Sequence, residues 1–423
     1  MNLYLLLILG ILAAGYCLET TVALLNLRHL STVLPQEFAG MYDDSRYARS
    51  QEYTRATTRF GLIHSTISLV VTVWFISAGG FNLADLTARH FGLPPIATGL
   101  VFTGLLALLS AALNLPFSAY STFVIEQRFG FNTTTISTFL LDLLKTTLLA
   151  VVLGGPLLAA ILWFFETSGE WAWLFCWTAA VAFILVVQFL APVVIMPLFN
   201  KFTPLPQGEL RDTILQYANA ERFALQGIYT MDGSKRSTRA NAFFTGFGRF
   251  RRIVFFDTLI EKLTTNELVA VLAHEMGHYK LRHIPVMMAL SILQTGAIFY
   301  ILSLFLGNRE LFAAFGMDHV STYASLIFFG FLYSPIATIL GIGFNMFSRH
   351  NEYQADRYAA RTLAGESGAR SLIDGLKKLS VSNLSNLTPH PVHVLLNYSH
   401  PPVLARIEAL RQFAANQANA GKC

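Results

Sequence analysis

The chain has 423 residues, of which 54% are hydrophobic and 13% charged, with a formal net charge of +5. An ordinary soluble domain carries about 25% charged residues, so a soluble globular fold is excluded and a bilayer is the expected solvent. The positive balance follows from where basic residues sit between apolar blocks, and it does not point to a nucleic-acid partner.

In chain order, seven apolar blocks lie at 3–25, 60–77, 97–115, 139–165, 171–196, 284–306 and 322–347. Each is near the roughly 20 residues that a helix needs to cross a membrane. The first has no basic residue ahead of it and no small-residue cleavage site, so it reads as a retained anchor. Cys17 and Cys176 lie inside apolar blocks and Cys423 is the last residue, a pattern that offers no disulfide framework and no prenylation box. Lys and Arg are retained on the cytoplasmic side. Of the 30 basic residues, 27 fall in alternate loops on one side; Arg89 and Arg309 fall on the other, and Lys145 lies within a block. The expected topology is a multi-pass protein of the (inner) cell membrane, with its N-terminus outside and its large loop and tail in the cytoplasm. Asp142 and Lys145, three residues apart, are expected to pair with each other, and His64 to be satisfied within its own helix.

Two polar regions remain for chemistry, and they divide the chain. Residues 1–198 hold five membrane helices, 199–283 a cytoplasmic-side loop region, 284–347 two more membrane helices, and 348–423 a cytoplasmic tail. Within the loop, "YTMDGSKRSTRANAFFTGFGRFRRIVFFDTL" alternates apolar and polar residues between glycines and predicts a small β-hairpin. In the tail, "NEYQADRYAARTLAG" has helical spacing with a glycine stop, and "FAANQANAGKC" reads as frayed.

The chemistry starts at "AHEMGHYK". Thr264 and Glu267 form a capping-box pattern, and the following residues have helical periodicity. His274 and His278 are therefore one turn apart on one face, a spacing that lets two imidazoles meet one zinc ion. Glu275, about 100° around the helix, can reach a water at that ion. Catalytic zinc takes three protein ligands and keeps one position open. A third histidine six residues after the second is excluded, because Ile284 stands there. The remaining solution is a glutamate on a later helix: Glu352 in "SRHNEYQAD", with Asp356 one turn on as the partner that orients a ligating histidine. The neighbouring His283 and His350 read as interfacial histidines, and His390 and His393 as surface residues. Arg406 and Arg349 are candidates to pair with carboxylates, and Glu126 reads as a structural loop residue.

The sequence resembles the type-I CAAX prenyl proteases, integral-membrane zinc metalloendopeptidases. The resemblance rests on "LPFSAYSTFVIEQRFGFN", "MPLFNKFTPLPQGEL", "DGSKRSTRANAFFTGF", "RRIVFFDTL", "HEMGHYK", "NEYQAD" and "YSHPPVLARI", which occur in the family's order over most of the chain. It implies an all-α integral membrane fold in which seven transmembrane helices enclose a water-filled chamber. A cytoplasmic-side zinc metallopeptidase domain with a small β-hairpin would hold one Zn2+. It also implies His274, His278 and Glu352 as ligands, Glu275 as general base, and Asn241 and His400 as the pair that holds substrate backbone and the developing oxyanion. The implied substrate is a prenylated C-terminal peptide. A shorter stretch before the zinc helix than a eukaryotic member is expected to have points to a bacterial homologue, for which other membrane-associated peptides become the expected substrates. Two rival functions are weighed beside it. A site-2-type intramembrane protease would need its third ligand from Asp374 in "LIDGL"; a non-catalytic membrane protein with a structural metal would need a closed four-ligand site.

Overall fold

The computed structural model describes residues 2–245, 251–363 and 366–420. From the N-terminus run α1 (Leu3–Arg28), α2 (Asp44–Ser77), the short α3 (Gly80–His90), α4 (Pro95–Glu126), α5 (Ile136–Thr167) and α6 (Gly169–Phe199). Next come β1 (Phe202–Pro204), α7 (Glu209–Ala220), β2 (Gly227–Met231), β3 (Ala242–Thr245), β4 (Arg252–Phe256) and α8 (Thr265–Lys280). The chain finishes with α9 (His283–Phe305), α10 (Arg309–Ala314), α11 (Thr322–Thr362), α12 (Glu366–Ser382), α13 (Pro391–Asn397) and α14 (Val403–Ala420).

Seven of these, α1, α2, α4, α5, α6, α9 and α11, are long and apolar enough to cross a membrane. Each contains one of the seven apolar blocks to within one residue. Their outward faces are bare: Leu108, Val151, Leu293 and Ile339 are all more than 60% exposed. Such faces are tolerated only where the solvent is itself apolar. Several spanning helices continue well past their apolar part. The longest, α11, has 41 residues, about 60 Å at 1.5 Å per residue, or roughly twice a bilayer core. Its second half carries "NEYQAD" out of the apolar region to meet α8.

The hairpin expected in the loop is part of a larger element. β3 and β4 pair antiparallel, but β2 joins β4 in parallel and β1 adds to β2, giving a four-stranded sheet of order β1-β2-β4-β3. The strands extend the buried core of the polar region, where Ile253 and Phe255 pack with Leu259, Leu268, Leu272 and Met276. The stretch 246–250 and Cys423 lie outside the described residues.

Three local expectations are corrected. Asp142 does not pair with Lys145; it accepts two hydrogen bonds from Arg236, at 2.7 and 2.9 Å, while Lys145 Nζ donates to the Leu198 carbonyl at 2.7 Å. A guanidinium fork fits a carboxylate better than an ammonium one turn away, which wins the competition. His64 is satisfied across helices, 2.8 Å from Asn114 Oδ1 on α4. The tail read as frayed is helical as far as Ala420, because Ile407 and Leu410 anchor α14 in the core.

Candidate metal centre

The helix carrying the histidines is α8. Thr264 Oγ1 accepts from the Glu267 amide, and the Glu267 carboxylate accepts from the Thr264 amide at 2.7 Å, so the capping box is complete. The helix packs against the polar half of α11 at unusually close range. A Cβ on Gly277 would stand 3.0 Å from Ala355 Cα and 3.2 Å from its carbonyl oxygen. Glycine at this position lets the two backbones approach, and that approach brings His274 and His278 to Glu352.

The three side chains converge. His274 Nε2 and His278 Nε2 are 3.2 Å apart, and they lie 3.4 and 3.3 Å from the two oxygens of Glu352. Nitrogens and oxygens bound tetrahedrally at about 2.0–2.1 Å from a zinc ion are separated from each other by roughly 3.3–3.4 Å. The observed spacings, in which each imidazole meets a different oxygen of the carboxylate, are close to those of such a shell. Glu352 Oε2 is moreover buried without a hydrogen-bond partner, at 3.4 Å from Arg406 Nη1. Two imidazole nitrogens facing each other beside a carboxylate with an unfilled lone pair call for a cation between them, and an N,N,O donor set suits zinc. Among the described residues, no fourth His, Cys, Asp or Glu joins this group, so one position is left open.

The surrounding groups settle which nitrogen faces inward. His274 Nδ1 is 2.8 Å from Asp356 Oδ1 and 3.4 Å from Arg406 Nη2. The shorter contact means that Nδ1–H donates to Asp356 and leaves Nε2 as the lone-pair nitrogen. Arg406 in turn grips Asp356 with both prongs, at 2.6 and 2.8 Å. All of this is buried: exposure is 7% for His274, 3% for Glu352, 2% for Asp356 and 9% for Arg406. Burial opposes a charge on His274, but the Asp356 and Glu352 carboxylates outweigh it and push the imidazole up to about 9. The carboxylates that favour a proton there favour a metal cation in the same place.

Other expected site residues stand at different distances from this centre. His400 is brought in: its Nε2 is 3.2 Å from Glu352 Oε1, yet the side chain is 65% exposed, so it faces open space. Glu275 is half-buried on α8 and near enough to raise the Arg406 pKa, along with Asp356 and Glu352 and against the effect of burial. Asn241 is exposed immediately before β3, its Oδ1 accepting from the Ala242 amide at 2.9 Å. β3 is an outer strand of the sheet and packs beside α8. Two cavities flank the centre. One, of about 520 Å³, is largely apolar and is lined by His278, Ile284, Met287, Met288 and Phe344; the other, of about 680 Å³, is lined by Tyr53, Arg239, Asn383, His400 and Arg406.

Two residues play larger parts than their sequence context indicates. Arg406, read only as a possible ion-pair partner, lies in the heart of the centre. His283, read as an interfacial histidine, is 6% exposed and its Nδ1 lies 3.1 Å from His278 Nδ1. The two-residue connection between α8 and α9 turns His283 back against the helix end; the sequence, in which three residues separate "AHEMGHYK" from the apolar block at 284, does not announce it. Glu126 does have a structural role: both its oxygens are 3.0 Å from Arg239 Nη2, and it accepts from Tyr53. Arg349 donates to the Val394 and Tyr398 carbonyls. His390 caps α13 by accepting from the Val392 amide, and His393 contacts Asn397. Asp374 lines a separate cavity with Arg370, Lys377 and Arg411, so the ligand that a site-2-type protease needs is not at the centre.

Comparison with known proteins matches this architecture in both halves. Residues 23–201 match the CAAX prenyl protease N-terminal region of five membrane helices, and residues 204–414 match peptidase family M48. The chain is 35% identical to the CAAX prenyl protease 1 homolog of Arabidopsis thaliana over 95% of its own length and 96% of the relative's. It is likewise 35% identical to CAAX prenyl protease 1 of Saccharomyces cerevisiae, over 98% and 96% of the two chains. The crystal structure of S. mikatae Ste24p superposes with a TM-score of 0.91 at 31% identity, covering 97% of this chain and 99% of that one. With the same helices, the same order of regions and a histidine–histidine–glutamate centre where the peptidase half begins its second polar stretch, the chain belongs to the CAAX prenyl protease branch of peptidase family M48, the membrane-embedded metalloendopeptidases.

Proposed function

We propose that this protein holds one zinc ion between His274, His278 and Glu352 and hydrolyses C-terminal peptides of the CAAX type, prenylated or otherwise membrane-associated. The observation that carries the proposal is a pair of imidazole nitrogens 3.2 Å apart, each 3.3–3.4 Å from a different oxygen of the Glu352 carboxylate, one of which is buried without a hydrogen bond. The relatives' names supply the substrate class. A zinc ion at this position would acidify a water toward a pKa of about 7 and polarise a carbonyl. Asp356, gripped by Arg406, holds His274 in the tautomer that presents Nε2. Glu275 takes a proton from the attacking water and delivers it to the leaving amine, a role worth about 10²–10⁴-fold in rate. The substrate backbone aligns with the outer edge of β3, and Asn241 and His400 donate to its carbonyl as negative charge develops there. The two cavities serve the two directions of the chain from the cut bond. The centre faces the cytoplasm inside a water-filled chamber among the seven helices, an orientation supported by the one-sided distribution of Lys and Arg and a setting in which ionisable residues at membrane depth are tolerated.

The test uses detergent-purified protein with matched farnesylated and unmodified peptides, products mapped by mass spectrometry and metal measured in parallel. Wild type is expected to hold one zinc per chain and to cut the peptides; Glu275→Gln is expected to keep the zinc and lose turnover. Zinc without turnover in the wild type would mark a structural metal and overturn the proposal. Equal cutting of both peptides would remove prenylation from it.

A further inference from the structure

The expected ligands leave unexplained a line of side chains on the far side of His278. His283 Nδ1 lies 3.1 Å from His278 Nδ1; His283 Nε2 lies 2.9 Å from Gln354 Oε1; and Gln354 Nε2 lies 2.8 Å from His350 Nε2. Two neutral imidazoles can share one hydrogen bond only if one donates and the other accepts. With His278 Nε2 turned toward Glu352, its proton must sit on Nδ1 and be donated to His283. That leaves the His283 proton on Nε2, donated to the Gln354 carbonyl oxygen, and the Gln354 amide donates to exposed His350. Every donor in the line meets an acceptor, in one direction, without a charge. On the opposite side of the centre Asp356 performs the corresponding service for His274.

The backbone is bent to make this line. α8 ends and α9 begins with a two-residue connection in which Arg282 adopts φ +59°, a left-handed conformation unusual for a residue with a side chain. That turn folds His283 back onto His278 five positions earlier. The line also crosses between helices: His278 belongs to α8, whereas Gln354 stands two residues after Glu352 on α11. We propose that His283 is a positioning residue for the metal centre, holding His278 in its ligating tautomer and tying the helix with two ligands to the helix with the third. This inference rests on the proposed metal site and adds to it a second orienting arm.

The experiment measures metal affinity by chelator competition, and the visible spectrum of the cobalt-substituted full-length protein in detergent. His283→Phe keeps the ring volume and removes the acceptor; it is expected to weaken metal binding by roughly 10–100-fold and to shift the cobalt bands. His283→Asn, whose amide oxygen can still accept from His278, is expected to recover most of the loss. Gln354→Leu should fall between wild type and His283→Phe. His350→Ala should have the smallest effect, because water replaces an exposed acceptor. A role in helix packing alone predicts no such order and no spectral shift. Should His283→Phe fail to fold, Gln354→Leu carries the test, and wild-type affinity with an unshifted spectrum in it overturns the inference. Wild-type affinity and spectrum in folded His283→Phe overturn it alone. A wild type that binds no metal overturns the metal site as well.

Discussion

Two clusters of buried charge stand about 44 Å apart along α11, taking 1.5 Å for each of the residues between Tyr323 and Glu352, and they are completed differently. Near the first turn, Asp85 is fully buried, but one of its oxygens accepts from Arg89 Nε at 2.8 Å and the other from the Tyr323 hydroxyl. In the second, Glu352 has an oxygen with no hydrogen bond and two imidazole nitrogens stand face to face beside it. Burial of charge is common to both and distinguishes nothing. What marks the second cluster is that two imidazole nitrogens join the carboxylate, with Arg406 Nη1 at 3.4 Å as its nearest cation, so that a metal ion would find three converging donors there that the first cluster does not offer.

The comparison breaks most sharply under matched carboxylate-to-amide changes. Glu352→Gln removes a proposed metal ligand; hydrolysis and bound zinc are expected to fall by more than the roughly 10–100-fold that loss of an outer partner costs, with the protein still folded. Asp85→Asn should do the reverse. It leaves hydrolysis per folded molecule unchanged and lowers stability by about 1–3 kcal/mol, because partly exposed Arg89 and buried Tyr323 lose a charged acceptor. Zinc content, peptide turnover and thermal unfolding in detergent decide it. Zinc retained in Glu352→Gln, or lost in Asp85→Asn, would erase the distinction between the two clusters.

A smaller effect is expected from Asp356→Asn. The amide can no longer offer two anionic oxygens to Arg406 and His274, so His274 exchanges a charged orienting acceptor for at best a neutral one while all three proposed ligand atoms remain. Metal affinity should drop by roughly 10–100-fold, with hydrolysis restored by excess zinc. Restoration separates this variant from Glu352→Gln, where no excess replaces the missing oxygen.

The residues that bring the second cluster together differ in how plainly the sequence announces them. His274, His278 and Glu275 are legible because one helix imposes their spacing, and Thr264 with Glu267 marks where that helix begins. The seven spans are legible because hydrocarbon solvent imposes length and composition together. Glu352 is reachable by elimination, since catalytic zinc needs a third ligand. Arg406 is far less legible, because nothing in "HPPVLARI" says that α14 folds back to seat a guanidinium on Asp356. The sheet is similarly obscured: β1 has three residues and its partner β2 comes only after an intervening helix, so no local alternation reveals the pairing. Asp142 shows the general reason. A partner one turn away was visible, and a better one nearly a hundred residues on won through geometry that only the folded chain supplies.

Gly277→Ala sharpens the comparison through packing alone. The added methyl would meet Ala355 Cα at 3.0 Å, and backbone cannot retreat as a flexible side chain can, so α8 and α11 must separate by a few tenths of an ångström. The expected loss is about 1–3 kcal/mol of stability together with weaker metal binding, since the same separation draws the histidines from Glu352. An equivalent change at Gly104, where an added Cβ meets nothing within 4 Å, should leave both quantities unchanged. Metal weakened at position 277 but not at 104 ties the centre to helix spacing; equal behaviour would cut that tie.

The smallest expected effect belongs to Arg282, whose φ of +59° carries the turn between α8 and α9. A residue with a Cβ gives up roughly 1–2 kcal/mol in this conformation, whereas glycine enters it freely and gives up roughly 0.5–1 kcal/mol of extra chain entropy on folding. These nearly cancel, so Arg282→Gly should leave folding stability within about 1 kcal/mol of wild type and metal affinity unaltered. Arg282→Val has no such compensation, because β-branching makes the left-handed region a genuine outlier. It should lower stability and displace His283, weakening metal binding where the glycine variant does not. If valine and glycine behave alike, the turn is not what holds His283 against His278, and the tie must come from Gln354 on α11 instead.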